Sequence, residues 1–147
     1  MAIVRQTLVY DGPGGPFEGV AAWDDAITGK RPAVLVVPNI LGQKEADNVK
    51  AEALAELGYV ALAADLFGQG RRKTHASDGI AEYMDELNAD RVLLRDRLAA
   101  SLAALTSLPQ ADAGKAAAIG FCFGGKCVLD MARRAADPGR RVVPRRL

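Results

Sequence analysis

Apolar positions along this chain fall into two kinds of run. Ala33-Val34-Leu35-Val36-Val37 and Tyr59-Val60-Ala61-Leu62-Ala63-Ala64 are continuous, the pattern of strands covered on both faces, as in a parallel sheet. Ala116 to Phe121 has the same character and predicts a third buried strand. Between these runs the spacing becomes helical. Ala46, Val49, Ala53 and Leu57 predict a helix from about Lys44 to Leu57, with Gly58 as its cap. Met84, Leu87, Val92, Leu94, Leu98 and Leu102 predict one long helix from about Ile80 to Leu105. Asp78 is its expected N-cap, and Pro109 bars its continuation. Gly124 to Ala136 predicts a last helix, stopped by Asp137-Pro138-Gly139. At the N-terminus, Ile3 to Tyr10 and Phe17 to Trp23 are β-prone and flank Asp11-Gly12-Pro13-Gly14-Gly15-Pro16, which predicts an antiparallel hairpin.

The order β-β-β-α-β-α-β-α predicts an α/β fold. It should be a three-layer α/β/α sandwich around a mostly parallel sheet with right-handed crossovers, preceded by the N-terminal antiparallel hairpin. Ligands of such sheets bind beyond the carboxyl ends of the strands. Those ends are Pro38-Asn39-Ile40, Asp65-Leu66-Phe67 and Phe121-Cys122-Phe123.

Composition narrows the function classes. A chain of 147 residues is one-domain size, and with only 5% aromatics its core must be mostly Ala, Leu and Val. No apolar run approaches the roughly 20 residues that span a bilayer. Met1-Ala2-Ile3-Val4-Arg5 lacks the basic-then-apolar order of a signal peptide, so the expected location is cytoplasmic, with no membrane partner. The net charge of +1 conceals an asymmetry. Residues 1–132 hold 13 Lys/Arg against 17 Asp/Glu, a net of −4. Residues 133–147 hold six Arg and one Asp, a net of +5. The expected division is therefore a domain over 1–132 and an atypical Arg-rich tail over 133–147. An acidic body with a short basic tail is not a nucleic-acid-binding footprint, which needs a broad basic face.

The two cysteines, Cys122 and Cys127, have a C-x4-C spacing that is neither a zinc nor a redox motif. Cys122 has a more informative setting. Gly120-Phe121-Cys122-Phe123-Gly124-Gly125 lies between a predicted strand and a predicted helix, and it matches the nucleophile-elbow pattern G-x-Nu-x-G. Such a turn is so sharp that side chains two before and two after the centre would collide, which calls for the glycines at 120 and 124. The central side chain is then lifted above the sheet at a helix N-terminus. That end of a helix favours an anion, and the thiolate is the nucleophilic form of cysteine. The N–H groups of Phe123 and Ile40 are candidate oxyanion-hole donors. The competing reading is a small buried cysteine in an ordinary Gly-rich turn. A dinucleotide site fits less well, because Cys122 would occupy the second glycine of G-x-G-x-x-G.

With these segments together the sequence resembles the dienelactone hydrolase family, within the α/β-hydrolase superfamily. The resemblance rests on Val36-Val37-Pro38-Asn39-Ile40-Leu41-Gly42, on Glu56 through Gly68, and on Ile119-Gly120-Phe121-Cys122-Phe123-Gly124-Gly125-Lys126, and it covers about residues 3–132. It implies hydrolysis of a small-molecule ester or lactone by a Cys-His-Asp triad, with no metal or organic cofactor. In that chemistry the Cys attacks the carbonyl, the His moves the proton and the Asp orients the His.

Three departures accompany the likeness. Asn39 stands where family members often carry a Glu beside the nucleophile, and Asn cannot take a proton from a thiol. Gln69 falls nearest the place of an Arg that grips anionic lactones, leaving Arg71 as the substrate-binding candidate. Only 25 residues follow Cys122, and they contain no His. The single His75 lies in the polar stretch after Asp65 and does not match the family base.

The sequence therefore reads as a C-terminally truncated member, and the abrupt Arg-rich end is what a reading-frame change near residue 134 would produce. Two outcomes are expected: an esterase or lactonase using Cys122, or an inactive remnant serving as an interaction module. Truncation would leave the last strand with an exposed edge, which predicts a homo-oligomer through that edge.

Overall fold

The computed structural model describes residues 1–135 of the chain. Five strands and four helices follow one another as β1 (Ile3–Tyr10), β2 (Phe17–Asp24), β3 (Arg31–Val37), α1 (Glu45–Glu56), β4 (Val60–Ala63), α2 (Glu82–Ala89), α3 (Arg91–Thr106), β5 (Ala111–Gly120) and α4 (Phe123–Ala135). The α/β architecture is the expected one. The last residues of the Arg-rich tail, 136–147, lie outside the described residues.

The strands form one sheet in the order β1-β2-β4-β3-β5. β1 and β2 make the predicted hairpin, running in register from Ile3 opposite Asp24 to Tyr10 opposite Phe17. A mostly parallel sheet does not form: the sheet is mixed. β3 pairs in parallel with β4 and β5, while β2 pairs antiparallel with β4 as well as with β1. The hairpin is thus part of the main sheet, joined through Val20–Ala22 against Ala61–Ala63. Apolar runs report burial on both faces, and that condition is met equally by the antiparallel β2, whose Ala21, Ala22 and Trp23 are all buried.

Helices cover both faces. Ala51 and Ala55 of α1 pack on Ala22, Val36, Ala61 and Ala63. The opposite face carries Leu35, Val37 and Leu62 under Leu94, Leu98, Leu102 and Leu105 of α3 and Phe123, Cys127 and Met131 of α4. Alternate strand residues serve the two faces, as the pleat requires. The Ala-lined side admits α1 closely, and the Leu-lined side takes the larger helices.

α1 ends as predicted at Gly58, whose φ of 95° suits glycine. Its N–H donates to Ala55 O, and that of Tyr59 donates to Leu54 O, the paired bonds that close a helix C-terminus. Three expectations fail. The long helix is two helices, because Asp90 leaves helical geometry and its carboxylate accepts from Leu93 N at 3.0 Å, starting α3 afresh. Asp78 is not a cap; α2 begins three residues later, after Ala81. β5 is fully covered on one face only: Ala116 and Ala118 are buried, while Ala117 and Ile119 are part-exposed, Ile119 packing at the border of the Ala-lined cluster.

Candidate active site

β5 ends at Gly120 and α4 starts at Phe123, so two residues turn the chain from strand to helix. The geometry is that of an elbow. Cys122 has φ 57°, the one non-Gly residue at positive φ among those described, and such a conformation is held only where the surroundings over-determine it. Here they do. A Cβ on Gly120 would stand 2.4 Å from the Gly124 carbonyl carbon and oxygen. One on Gly124 would stand 2.5 Å from Val37 O and 2.7 Å from Pro38 O. Real Cβ atoms do not approach backbone so closely, so both glycines are obligatory, as their spacing predicts. Gly125 is less crowded, its nearest neighbour being Gly120 O at 3.3 Å.

The turn closes with Gly124 N–H donating to Phe121 O at 3.0 Å, and the first helical bond runs from Lys126 N–H to Cys122 O at 3.2 Å. Cys122 therefore sits at the N-terminus of a 13-residue helix, and it is exposed. The reading of this residue as a buried cysteine fails. Cys127, one helical turn on, is the buried one, and burial pushes its thiol up to about 12.

The close approach of Gly124 to Val37 and Pro38 puts the elbow against the end of β3. There the chain makes a tight turn through Asn39, Ile40, Leu41 and Gly42. Gly42 N–H donates to Asn39 O at 3.0 Å, and Leu41 N–H donates to Asn39 Oδ1 at 3.0 Å. Asn39 thus spends its side-chain oxygen on its own turn. The Ile40 N–H takes part in neither bond. Gly42 has φ 85°, and a Cβ there would meet Phe67 at 2.8 Å.

Phe67 ties the three strand ends together. Its ring stacks 6.3 Å from Phe123 and lies 5.3 Å from Tyr83 of α2, and it is 1% exposed. It follows Asp65, a fully buried carboxylate at the end of β4. Asp65 accepts from the N–H groups of Glu18, Phe67 and Gly68 and from Arg72 Nη1 at 3.0 Å. Both carboxylate oxygens have donors, three on Oδ1 and one on Oδ2, as a buried charge requires.

Arg71, the substrate-binding candidate, is committed to its surroundings: Nη2 bonds Glu86 at 3.1 Å, and the guanidinium lies 4.4 Å from the Tyr83 ring centre. Arg72 is the arginine that reaches inward. His75 is exposed, on the far part of the same loop. The sequence alone does not mark Asp65 and Arg72 as site residues. A charged residue directly after a wholly apolar strand was the available signal for Asp65; nothing in the spacing distinguishes Arg72 from Arg71.

Among the described residues no group of three or more His, Cys, Asp or Glu side chains is placed to hold a metal ion. No helix among them is long and apolar enough to cross a membrane.

A family model described as "Dienelactone hydrolase family" matches residues 17–143. The solved structure of a dienelactone hydrolase-like promiscuous phosphotriesterase, P91, from metagenomic libraries is 36% identical, with a TM-score of 0.87 over 92% of this chain and 56% of that one. A structure described as m3DLH is 38% identical, with a TM-score of 0.86 over the same shares. An uncharacterized Caenorhabditis elegans protein is 50% identical over 50 residues, 34% of this chain and 32% of that protein. The chain thus spans little more than half the length of the two solved relatives.

Proposed function

The chain belongs to the dienelactone hydrolase family, and from that premise we propose that it is a hydrolase acting on carboxylic esters or lactones through Cys122. The observation that carries this reading is the exposed thiol at φ 57°, locked between two glycines at a helix N-terminus. The Cys122 sulfur attacks the carbonyl carbon, and its proton passes to solvent. The charge that develops on the carbonyl oxygen is met by the N–H groups of Phe123 and Ile40. The C–O bond breaks, the alcohol leaves with a proton, and a thioester remains on Cys122. Water then cleaves the thioester to release the acid and restore the thiol. Asn39 and Arg71 are not needed for these steps: the first holds the turn, and the second is bound to Glu86 and Tyr83.

His75, the one histidine of the 147 residues, is exposed in the loop between β4 and α2. For these 147 residues tested by themselves, acylation is expected to outrun hydrolysis of the thioester. A p-nitrophenyl acetate assay tests this. It should show a burst of p-nitrophenol stoichiometric with protein, an acetyl group on the peptide containing Cys122, and slow turnover afterwards. The Cys122→Ser chain should lack the burst. A wild-type chain that releases no p-nitrophenol above background would defeat the reading.

A second reading has its own support. β5 pairs on one side only among the described residues. Association of two copies along this edge would pair its free backbone groups. Light scattering decides: a monodisperse monomer at working concentration removes this reading and leaves the first untouched.

A further inference from the structure

We propose that Arg72, anchored by the buried Asp65, is a positioning residue that holds the Asn39–Gly42 turn in the conformation that aims the Ile40 N–H at the reacting carbonyl. This inference rests on the acyl-transfer reading of Cys122.

The Asn39–Gly42 turn has no regular structure of its own. Its shape comes from Asn39, and its place comes from the segment 65–73 lying against it. Arg72 is the joint between the two. Its Nη1 donates to Asp65 Oδ1 at 3.0 Å, to Gly68 O at 2.8 Å and to Arg71 O at 3.1 Å. Its Nη2 donates to Glu18 O at 2.9 Å and to Gln43 Oε1 at 3.4 Å. One guanidinium thus grips the end of β4, the start of β2 and the residue after Gly42.

The contact is close along its length. The Arg72 side chain passes 3.4 Å from where a Cβ on Gly42 would be. The next residue, Lys73, donates its N–H to Leu41 O at 2.9 Å. Beyond the turn, Gln43 Nε2 donates to Asn48 Oδ1, and Asn48 Nδ2 donates to Glu45 at 3.1 Å, which fixes the far end to α1.

The choice of side chain follows from this geometry. A planar fork of N–H donors can serve three backbone carbonyls, a carboxylate and an amide at once, whereas an ammonium cannot. The charge is paired with Asp65 within the site, which weakens the direct field of Arg72 on a substrate. Its effect on chemistry then passes mainly through the turn. Displacing an oxyanion donor by a fraction of an ångström weakens transition-state binding and leaves the thiol itself unaltered.

The experiment compares two reactions of the same sulfur. Acetylation of Cys122 by p-nitrophenyl acetate passes through an oxyanion; alkylation by iodoacetamide does not. In Arg72→Met the acetylation rate constant should fall by about tenfold to a hundredfold while alkylation changes by less than about twofold. Arg72→Lys, which keeps the pair with Asp65, should recover part of the loss. Should Arg72→Met not fold, Gln43→Leu cuts only the last of the five bonds and should lower acetylation about threefold with alkylation unchanged. Equal falls in both reactions, or none in either, would overturn the proposal. Absence of acetylation in the wild-type chain would instead overturn the function reading, and this inference with it.

Discussion

The Cβ that Gly124 lacks would stand 2.5 Å from the Val37 carbonyl oxygen, so helix α4 and strand β3 meet backbone to backbone beneath Cys122. No rotamer can relieve that contact, because both partners are main chain. Gly124→Ala must push α4 away from the sheet, opening the core where Phe123 packs on Phe67. A loss of about 3 kcal/mol is expected, the upper range for overpacked sites. It should appear as a lower urea midpoint with an unchanged slope. An unaltered midpoint would mean that helix and strand can separate freely, and the elbow would lose its physical basis.

The same geometry sets activity against stability at Cys122. A non-Gly residue at φ 57° carries strain of about 1–2 kcal/mol. Glycine removes it but adds about 0.5–1 kcal/mol of unfolded-chain entropy. Cys122→Gly should therefore be more stable than the wild type, by up to about 1.5 kcal/mol, while losing all thiol chemistry. Chemical denaturation checks the sign. A destabilised Cys122→Gly chain would mean that the side chain makes contacts outweighing its backbone strain.

Much of this arrangement is legible in the sequence, and the limits are specific. Gly120 and Gly124 announce the elbow because a steric demand two residues either side of a sharp turn can be met by one amino acid only. The apolar runs locate β3 and β4 for a similar reason: burial on both faces leaves no polar position. Strand direction is not encoded that way, since β2 is as buried as its parallel neighbours, and so the mixed sheet is invisible until the chain is folded. The Arg72 joint is hidden too. Arg71 and Arg72 are adjacent in a polar loop, and which of them turns inward depends on where Asp65, Glu18 and Gln43 come together from three distant segments.

The break between α2 and α3 shows another such limit. Leu87 and Leu94 are seven residues apart and both buried, so the apolar periodicity runs through Asp90 without interruption. What stops the helix is local: the Asp90 carboxylate takes the Leu93 N–H at 3.0 Å. Asp90→Ala should cost about 1 kcal/mol through the lost cap. Asp90→Asn, which can still accept that bond, should cost much less. Thermal melts of the two variants separate these outcomes; equal losses would assign the break to something other than the cap.

Two buried acids make stability fall at high pH. Desolvation raises the Cys127 thiol from 9.0 to about 12, against a small opposing effect of Lys126. Desolvation also raises the Tyr10 hydroxyl from 10.0 to about 12, opposed by its bond with Ser101 and by the Asp65 N–H that donates to it. Both groups are neutral when protonated, so the folded chain keeps protons that the unfolded chain releases. Stability is then fully present below about pH 9 and is lost as the pH climbs from about 9 towards about 12. Urea midpoints measured at intervals from pH 7 to 11 should be level at first and then decline. Cys127→Ala should postpone the start of the decline to the range where Tyr10 ionises. Iodoacetamide at pH 8 gives an independent reading of the same burial: the native chain should be alkylated at Cys122 and spared at Cys127, whereas urea should expose both. Equal labelling of the two in the native chain would place the Cys127 thiol in contact with solvent, and the alkaline decline would then have to come from Tyr10 alone.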